Sequence, residues 1–213
     1  MALLHRKPAP LAPDEKIFRD DRLIVVVADD TFAPDQYFKL VKARRVHVRV
    51  ACAHDGHSSP QAALQSARAL RNDRDFKNFD EFWLLLDTDH WNQPGHVGGF
   101  METIRDAREE GFRVAISNPC FDLWLSLHHV DLTVEQTPFK DCDEVAKRFR
   151  AVKGEFNKTR LNPAHYNAKL ALEAIARGQK LTPNLELRQL ENPGTQVWGL
   201  VEKALKDLLN KVG

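Results

Sequence analysis

Only three cysteines, Cys52, Cys120 and Cys142, occur in 213 residues. Their odd number and unpaired spacing argue against a disulfide framework and suit a reducing cytosol. The net charge is +1, so the chain exerts no general pull on nucleic acid, and any such contact must come from local patches. No apolar run approaches the roughly 20 residues that cross a bilayer. The opening residues, Met1 to Pro8, lack the apolar core of a signal peptide. Internal repeats and low-complexity tracts are also missing. Together these absences lead to the expectation of a soluble, cytoplasmic protein with no membrane partner. Hydrophobic residues make up 43% and charged residues 29%, ordinary for a globular chain whose length fits one domain with a real core, or one domain plus a small appendage.

The apolar runs are short and regularly spaced. Residues 23–28 and 82–86 are uninterrupted and rich in aliphatic side chains, as in strands buried on both faces of a parallel sheet. Residues 46–50 alternate, which predicts a strand with one wet face, and residues 113–117 predict a fourth. Helical spacing over about 34–41, 61–74 and 100–110 separates them, so the connections are βαβ crossovers. Residues 120–127 predict a short buried helix ending near His128 and His129, where a histidine cation would suit the helix dipole. Helices are expected at 143–160, 163–177 and 197–212, with a turn at Asn192-Pro193-Gly194-Thr195. The predicted organisation is an N-terminal tail (1–20), an α/β domain (21–130) and a helical C-terminal extension packed on it (131–213).

Chemistry concentrates where the strands end. Asp87 and Asp89 follow the third strand at i and i+2, so both carboxylates face the same way if the extended geometry lasts that far. Carboxylates held together repel unless a cation intervenes, and a hard divalent ion such as Mg²⁺ suits them. Asp29 and Asp30 end the first strand and would complete such a site. The competing reading is that these aspartates only cap turns. His90 adjoins the pair and could touch a phosphate or shuttle a proton. Asn118, after the fourth strand, could orient a metal-bound water or a phosphate, and Asp122 falls in the first turn of the helix that follows. Cys120 lacks a base partner and reads as a packed thiol. His54 and His57 flank Asp55-Gly56 without the further ligands zinc would need.

Basic residues Arg44, Arg45, Arg68, Arg71, Arg74, Lys147, Arg148, Arg150, Lys153, Lys158 and Arg160 could line a phosphate-binding surface, with Phe149 and Phe156 for stacking. The alternative is a set of solvated helix faces.

Three segments resemble the RloB-like family. Val27-Ala-Asp-Asp-Thr-Phe-Ala-Pro34 with Tyr37-Phe38 stands where the family has Glu-Gly-Glu-Lys-Thr-Glu-Pro and then Tyr-Phe. Asp87-Thr-Asp89-His90 is similar to Asp-Arg-Asp-Asp-His. Ser117-Asn-Pro-Cys-Phe-Asp-Leu-Trp-Leu-Ser-Leu-His128 is similar to Ser-Asn-Pro-Cys-Phe-Glu-Leu-Trp-Leu-Leu-Leu-His. Phe156-Asn-Lys158 and Asn192-Pro-Gly-Thr-Gln-Val197 also look like the family's C-terminal pattern.

The resemblance implies a Toprim-like (Rossmann-like), mostly parallel sheet of about four strands flanked by helices. It also implies a Mg²⁺ or Mn²⁺ site at Asp87, Asp89 and Asp29 or Asp30, with phosphodiester cleavage of RNA or DNA. Lys158, which matches the family's motif lysine, would contact phosphate; His90 and Arg148, from the residue reading, could join it, and Asn118 could assist catalysis. The family's place in bacterial anti-phage defence implies a partner ATPase. One departure matters: the first-strand glutamate is replaced by Asp29 when the alignment is anchored on Tyr37-Phe38, and by Ala28 when it is anchored on Pro34. That departure leaves a catalytically degenerate docking or sensing module as the alternative.

Overall fold

A computed structural model describes residues 22–43, 45–50, 59–73, 76–78, 80–89, 91, 95–132 and 138–209. The expected tail (1–20), Arg44, the loop carrying His54 and His57, Arg74 and His90 lie outside the described residues.

Four strands run parallel: β1 (Ile24–Ala28), β2 (Val46–Val50), β3 (Glu81–Asp87) and β4 (Arg113–Asn118). A two-residue strand, β5 (Gly194–Thr195), pairs antiparallel with the end of β4. The order is β2-β1-β3-β4-β5. The architecture is α/β, mostly parallel, and consistent with a Rossmann- or Toprim-like fold. Five strands replace the expected four, because the segment that reads as a turn extends just long enough to add a rung to β4.

Period-two alternation sorts the sheet's side chains into two cores. Val26, Ala28, Trp83, Leu85 and Ala115 face one way, and Val25, Val27, Leu84, Leu86 and Ile116 face the other. Helices α2 (Pro60–Arg71) and α3 (Val97–Glu109) cover the second face. The first face is covered by α1 (Ala33–Leu40), α4 (Phe121–Ser126), α5 (Cys142–Lys153), α6 (Ala168–Leu181) and α7 (Val197–Leu209). The later helices therefore share one core with β1 and β3. Edge strand β2 keeps His47 and Arg49 exposed, a pattern that suits an edge.

Helix ends follow local chemistry. Helix α5 stops at Lys153, short of the expected 160, because Gly154 adopts φ +80°, a left-handed conformation that glycine tolerates without a Cβ penalty. The expected helix over 163–177 becomes a single 3-10 turn, Pro163–His165, followed by α6. Asn167 resets the start by accepting the Leu170 N–H at 3.0 Å. His128 departs from its dipole reading. It is buried against Trp124 O (3.2 Å) and the Tyr37 hydroxyl (3.1 Å). Burial pushes its pKa down to about 3, so the ring is neutral at working pH and acts as a hydrogen-bond link.

The end of the sheet opposite the acids is tied by Glu81. This buried carboxylate accepts from Trp83 Nε1 (2.8 Å) and pairs with Arg113 (2.9 Å), Lys203 (2.5 Å) and Arg22 (3.6 Å). It thereby joins β3 to β4 and α7. Removing one member of a buried pair is costly, but the cations here are 33–55% exposed and water compensates part of the loss. Glu81→Ala is expected to lower stability by about 1–3 kcal/mol. Thermal unfolding should report this as a fall in Tm of roughly 3–10 °C. An unchanged Tm would mean that the ion pairs contribute nothing net.

Candidate functional site

The chain leaves β1 for α1 on one face of the sheet and leaves β3 for α3 on the other, while β1 and β3 are neighbours. Loops that diverge from adjacent parallel strands leave a crevice at their carboxyl ends. That crevice is a cavity of about 260 Å³, whose walls include Asp29, Asp30, Asp87, Asp89, Asp122 and Lys158. The fold thus gathers acids separated by up to 93 residues, counting from Asp29 to Asp122 (122 − 29).

Local hydrogen bonds distinguish Asp29 from Asp30. Asp30 Oδ1 accepts from the N–H groups of Phe32 (2.7 Å) and Ala33 (3.0 Å), so one of its oxygens serves as a cap for the start of α1. Asp29 points across to β3, where its Oδ2 accepts the Asp87 N–H at 3.2 Å. Asp29 is the more deeply placed acid. The Oδ1 of Asp87 is buried without a hydrogen-bond partner among the described residues. A buried, unpartnered carboxylate oxygen is costly, so such an atom marks a place where something else binds or where a proton is held.

Asp89 is positioned through its backbone. Its N–H and that of Thr88 both donate to Pro119 O, at 3.0 and 2.9 Å, fastening the end of β3 to the end of β4. Asn118 belongs to the same fastening and is not among the cavity's lining residues. Its Oδ1 accepts from Thr88 Oγ1 (2.9 Å), and its Nδ2 donates to Leu190 O (2.9 Å). These bonds make Asn118 a tie between three segments, next to which its expected role at a water or phosphate stands as a separate expectation. Arg148 places its guanidinium 5.5 Å from the Phe139 ring centre and does not line this cavity. Arg68 and Arg71 are held by Glu110. Phe149 is buried and cannot stack on a ligand. Lys158 does reach the cavity.

Electrostatics bear the mark of crowding. Burial, followed by repulsion from Asp30 and Asp89, raises the Asp29 pKa to about 7, against the opposing hydrogen bond from Asp87. Burial and then the charges of Asp29, Asp30, Asp89 and Asp122 hold Asp87 well above the carboxylate range. Asp122 also rises to about 7 through burial, although Lys158 pulls it down. By accessible surface Asp29 and Asp87 are only half-buried, since one side opens on the cavity, and water there moderates the rise.

The sequence reading missed Cys142, Phe32 and Trp91 in the cavity wall. The sulfurs of Cys120 and Cys142 are joined, with Cα atoms 5.9 Å apart, in place of the expected unpaired thiols. A separation of 22 residues hides the fact that α4 and α5 begin at the same cavity. The Cys142 sulfur lies 3.1 Å from Asp89 Oδ2. In the bonded form it carries no hydrogen, so this contact is not a hydrogen bond.

Oxygen donors of this kind fit a hard cation. No three His, Cys, Asp or Glu side chains among the described residues are grouped so that they could hold a metal ion. No curated protein and no solved structure matches the chain. The family model for RloB-like protein matches residues 24–204, a span that includes every acid of the cavity and Lys158. The chain belongs to the RloB-like family.

Proposed function

We propose that the protein is a metal-dependent nuclease that cleaves phosphodiester bonds of RNA or DNA. Asp29, Asp87 and Asp89 would hold Mg²⁺ or Mn²⁺, Asp30 would add a distal carboxylate, and Lys158 would receive the phosphate. The observation that supports this reading best is the unpartnered Asp87 Oδ1, buried in a cavity of five carboxylates beside a lysine. When bound, the ion supplies Lewis acidity that polarises a phosphate oxygen and acidifies a water. Asp122, with a pKa near 7 and not among the metal ligands proposed, is placed to hold or release a proton near neutral pH. Lys158 neutralises phosphate charge and stands beside Asp122. The biological setting we propose is cytoplasmic anti-phage defence, with an ATPase partner.

One observation favours a second reading. Anchored on Tyr37-Phe38, Asp29 stands where the family's motif has a longer glutamate (anchored on Pro34, Ala28 does), and a misplacement on the order of 1 Å can lower a rate about 100-fold. A non-catalytic module that docks on the ATPase or senses a phage component would tolerate that shortening.

Calorimetric titration with Mg²⁺ and Mn²⁺ tests the site, run on the wild type and on Asp87→Ala/Asp89→Ala, with cleavage of tRNA and plasmid assayed in parallel. Saturable binding and cleavage, both lost in the double variant, are expected. Metal binding that ignores the substitutions, together with no cleavage even when the partner ATPase is added, would sink the nuclease reading.

A further inference from the structure

A second cavity, of about 390 Å³, opens beside the first, with Phe156, Asn157, Arg160, Asn162, His165 and Tyr166 in its wall. The two share a partition: Asn157 lines the second and its neighbour Lys158 lines the first. The partition is pinned to the acid site by α1. Gln36 Nε2 donates to Lys158 O (3.2 Å), and Gln36 Oε1 accepts from Leu161 N (3.0 Å). Since α1 begins directly after Asp29 and Asp30, this staple sets the second cavity at a fixed position relative to the carboxylates.

The chemistry of the second cavity differs from that of the first. The half-buried Phe156 ring is braced edge-on by buried Phe149 at 5.1 Å, so it offers a planar face that little motion can blur. His165, also half-buried, adds a second ring, kept largely neutral by burial and by Lys153. Asn157 uses its Oδ1 for Thr159 N and Oγ1, leaving its amide hydrogens for a ligand edge. Asn162 and Glu155 are bonded to each other across the rim, and Arg160 is exposed there. A flat aromatic wall, amide donors and one cation at the mouth are what a base and its phosphate require, and a cavity of this volume falls in the range of small-ligand sites.

We infer that this second cavity seats a nucleobase, stacked on Phe156, of the nucleotide whose phosphate lies at Lys158. The inference rests on the nuclease reading for the placement of that phosphate. Stacking selects a base by its π-face, so the cavity acts on single-stranded substrate and contributes affinity with little sequence preference. A base paired in a duplex cannot enter it unless it leaves the stack.

The test is fluorescence anisotropy with a labelled octamer of adenylate RNA, and with an octamer of the same backbone lacking bases, both in EDTA. Phe156→Ala is expected to weaken the adenylate octamer at least about fivefold, and Phe156→Trp to restore it. Asn157→Ala, an exposed position, should weaken binding by a smaller factor without touching the core. The abasic octamer should bind wild type and Phe156→Ala alike. Equal affinity of wild type for the two octamers, no binding of either, or an unchanged adenylate affinity in a folded Phe156→Ala protein would each overturn the base site. Magnesium calorimetry on the same proteins separates the two ideas. A Phe156 effect without metal binding supports the base site and defeats the metal site. Metal binding and cleavage that ignore Phe156, with adenylate affinity unchanged, do the reverse.

Discussion

Asp87→Asn is expected to stabilise the protein at pH 7.5 in EDTA by roughly 1–3 kcal/mol, while abolishing any stabilisation by Mg²⁺. Asp29, Asp87 and Asp122 all have folded pKa values raised above those of the unfolded chain. A raised carboxyl contributes its stability fully below the unfolded value of about 3.9 and loses it as pH rises through the folded value. For Asp29 and Asp122 the window therefore runs from about 4 to about 7, and for Asp87 it extends upward from the same lower end.

Histidine works in the opposite direction. His128 has a folded pKa near 3, so the unfolded chain takes up a proton below about 6.5 that the native ring refuses, and stability falls as pH drops. The raw pH curve mixes both effects. The difference between wild type and Asp87→Asn cancels the histidine contribution and isolates the acids. Relative to its value at pH 3, where both states are protonated, it should shift in favour of the variant through the window and do so clearly by pH 7.5, measured by denaturant unfolding. Magnesium at about 100 times its Kd should raise the wild type by about 2.7 kcal/mol and leave the variant unmoved. A variant no more stable than the wild type at pH 7.5 would show that the cavity's charges are already relieved, and the electrostatic case for a metal would collapse.

How far the sequence carries this picture depends on the range of the interactions involved. The strands were legible because β1, β3 and β4 are bounded apolar runs, and burial on both faces leaves no room for polar interruptions. Asp87 and Asp89 both reach the cavity wall, although β3 ends at Asp87 and strand alternation does not carry through to Asp89. Long-range commitments were not legible. Asn118 looks like a free polar group after a strand, yet its two ends are taken by Thr88, 30 residues back, and Leu190, 72 residues on. The bond between Cys120 and Cys142 and the rung at Gly194–Thr195 are invisible for the same reason. Asp30 and Asp29 were indistinguishable by type, and only the cap on Phe32 and Ala33 separates them. Lys158 was one of many basic residues in the sequence, and only the family resemblance singled it out.

The motif that identifies the family most specifically is mostly structural, and Trp124→Ala is expected to show it. Of Ser117 to His128, Asp122 and Cys120 line the cavity, while Phe121, Leu123, Trp124, Leu125 and Leu127 are buried in the core that α4 shares with α1 and the later helices. Trp124 is fully buried and meets Tyr37 edge-to-face at 6.1 Å and His128 at 5.3 Å. Truncating such a side chain removes its transfer free energy and leaves a void that rigid neighbours cannot fill, a loss of about 3–5 kcal/mol. At this chain length the fall in Tm should be roughly 6–20 °C. Trp124→Phe, which keeps a ring in the same place, should lose less than half of that and retain the wild-type magnesium isotherm. Asp122→Asn should do the opposite, leaving Tm in EDTA at or above the wild-type value at pH 7.5 while changing the cavity's response to metal. If Trp124→Phe alters metal binding as strongly as Asp122→Asn does, the division of α4 into a site face and a core face is wrong. The whole helix would then act on the cavity through its position, and the motif would be catalytic in a sense its burial conceals.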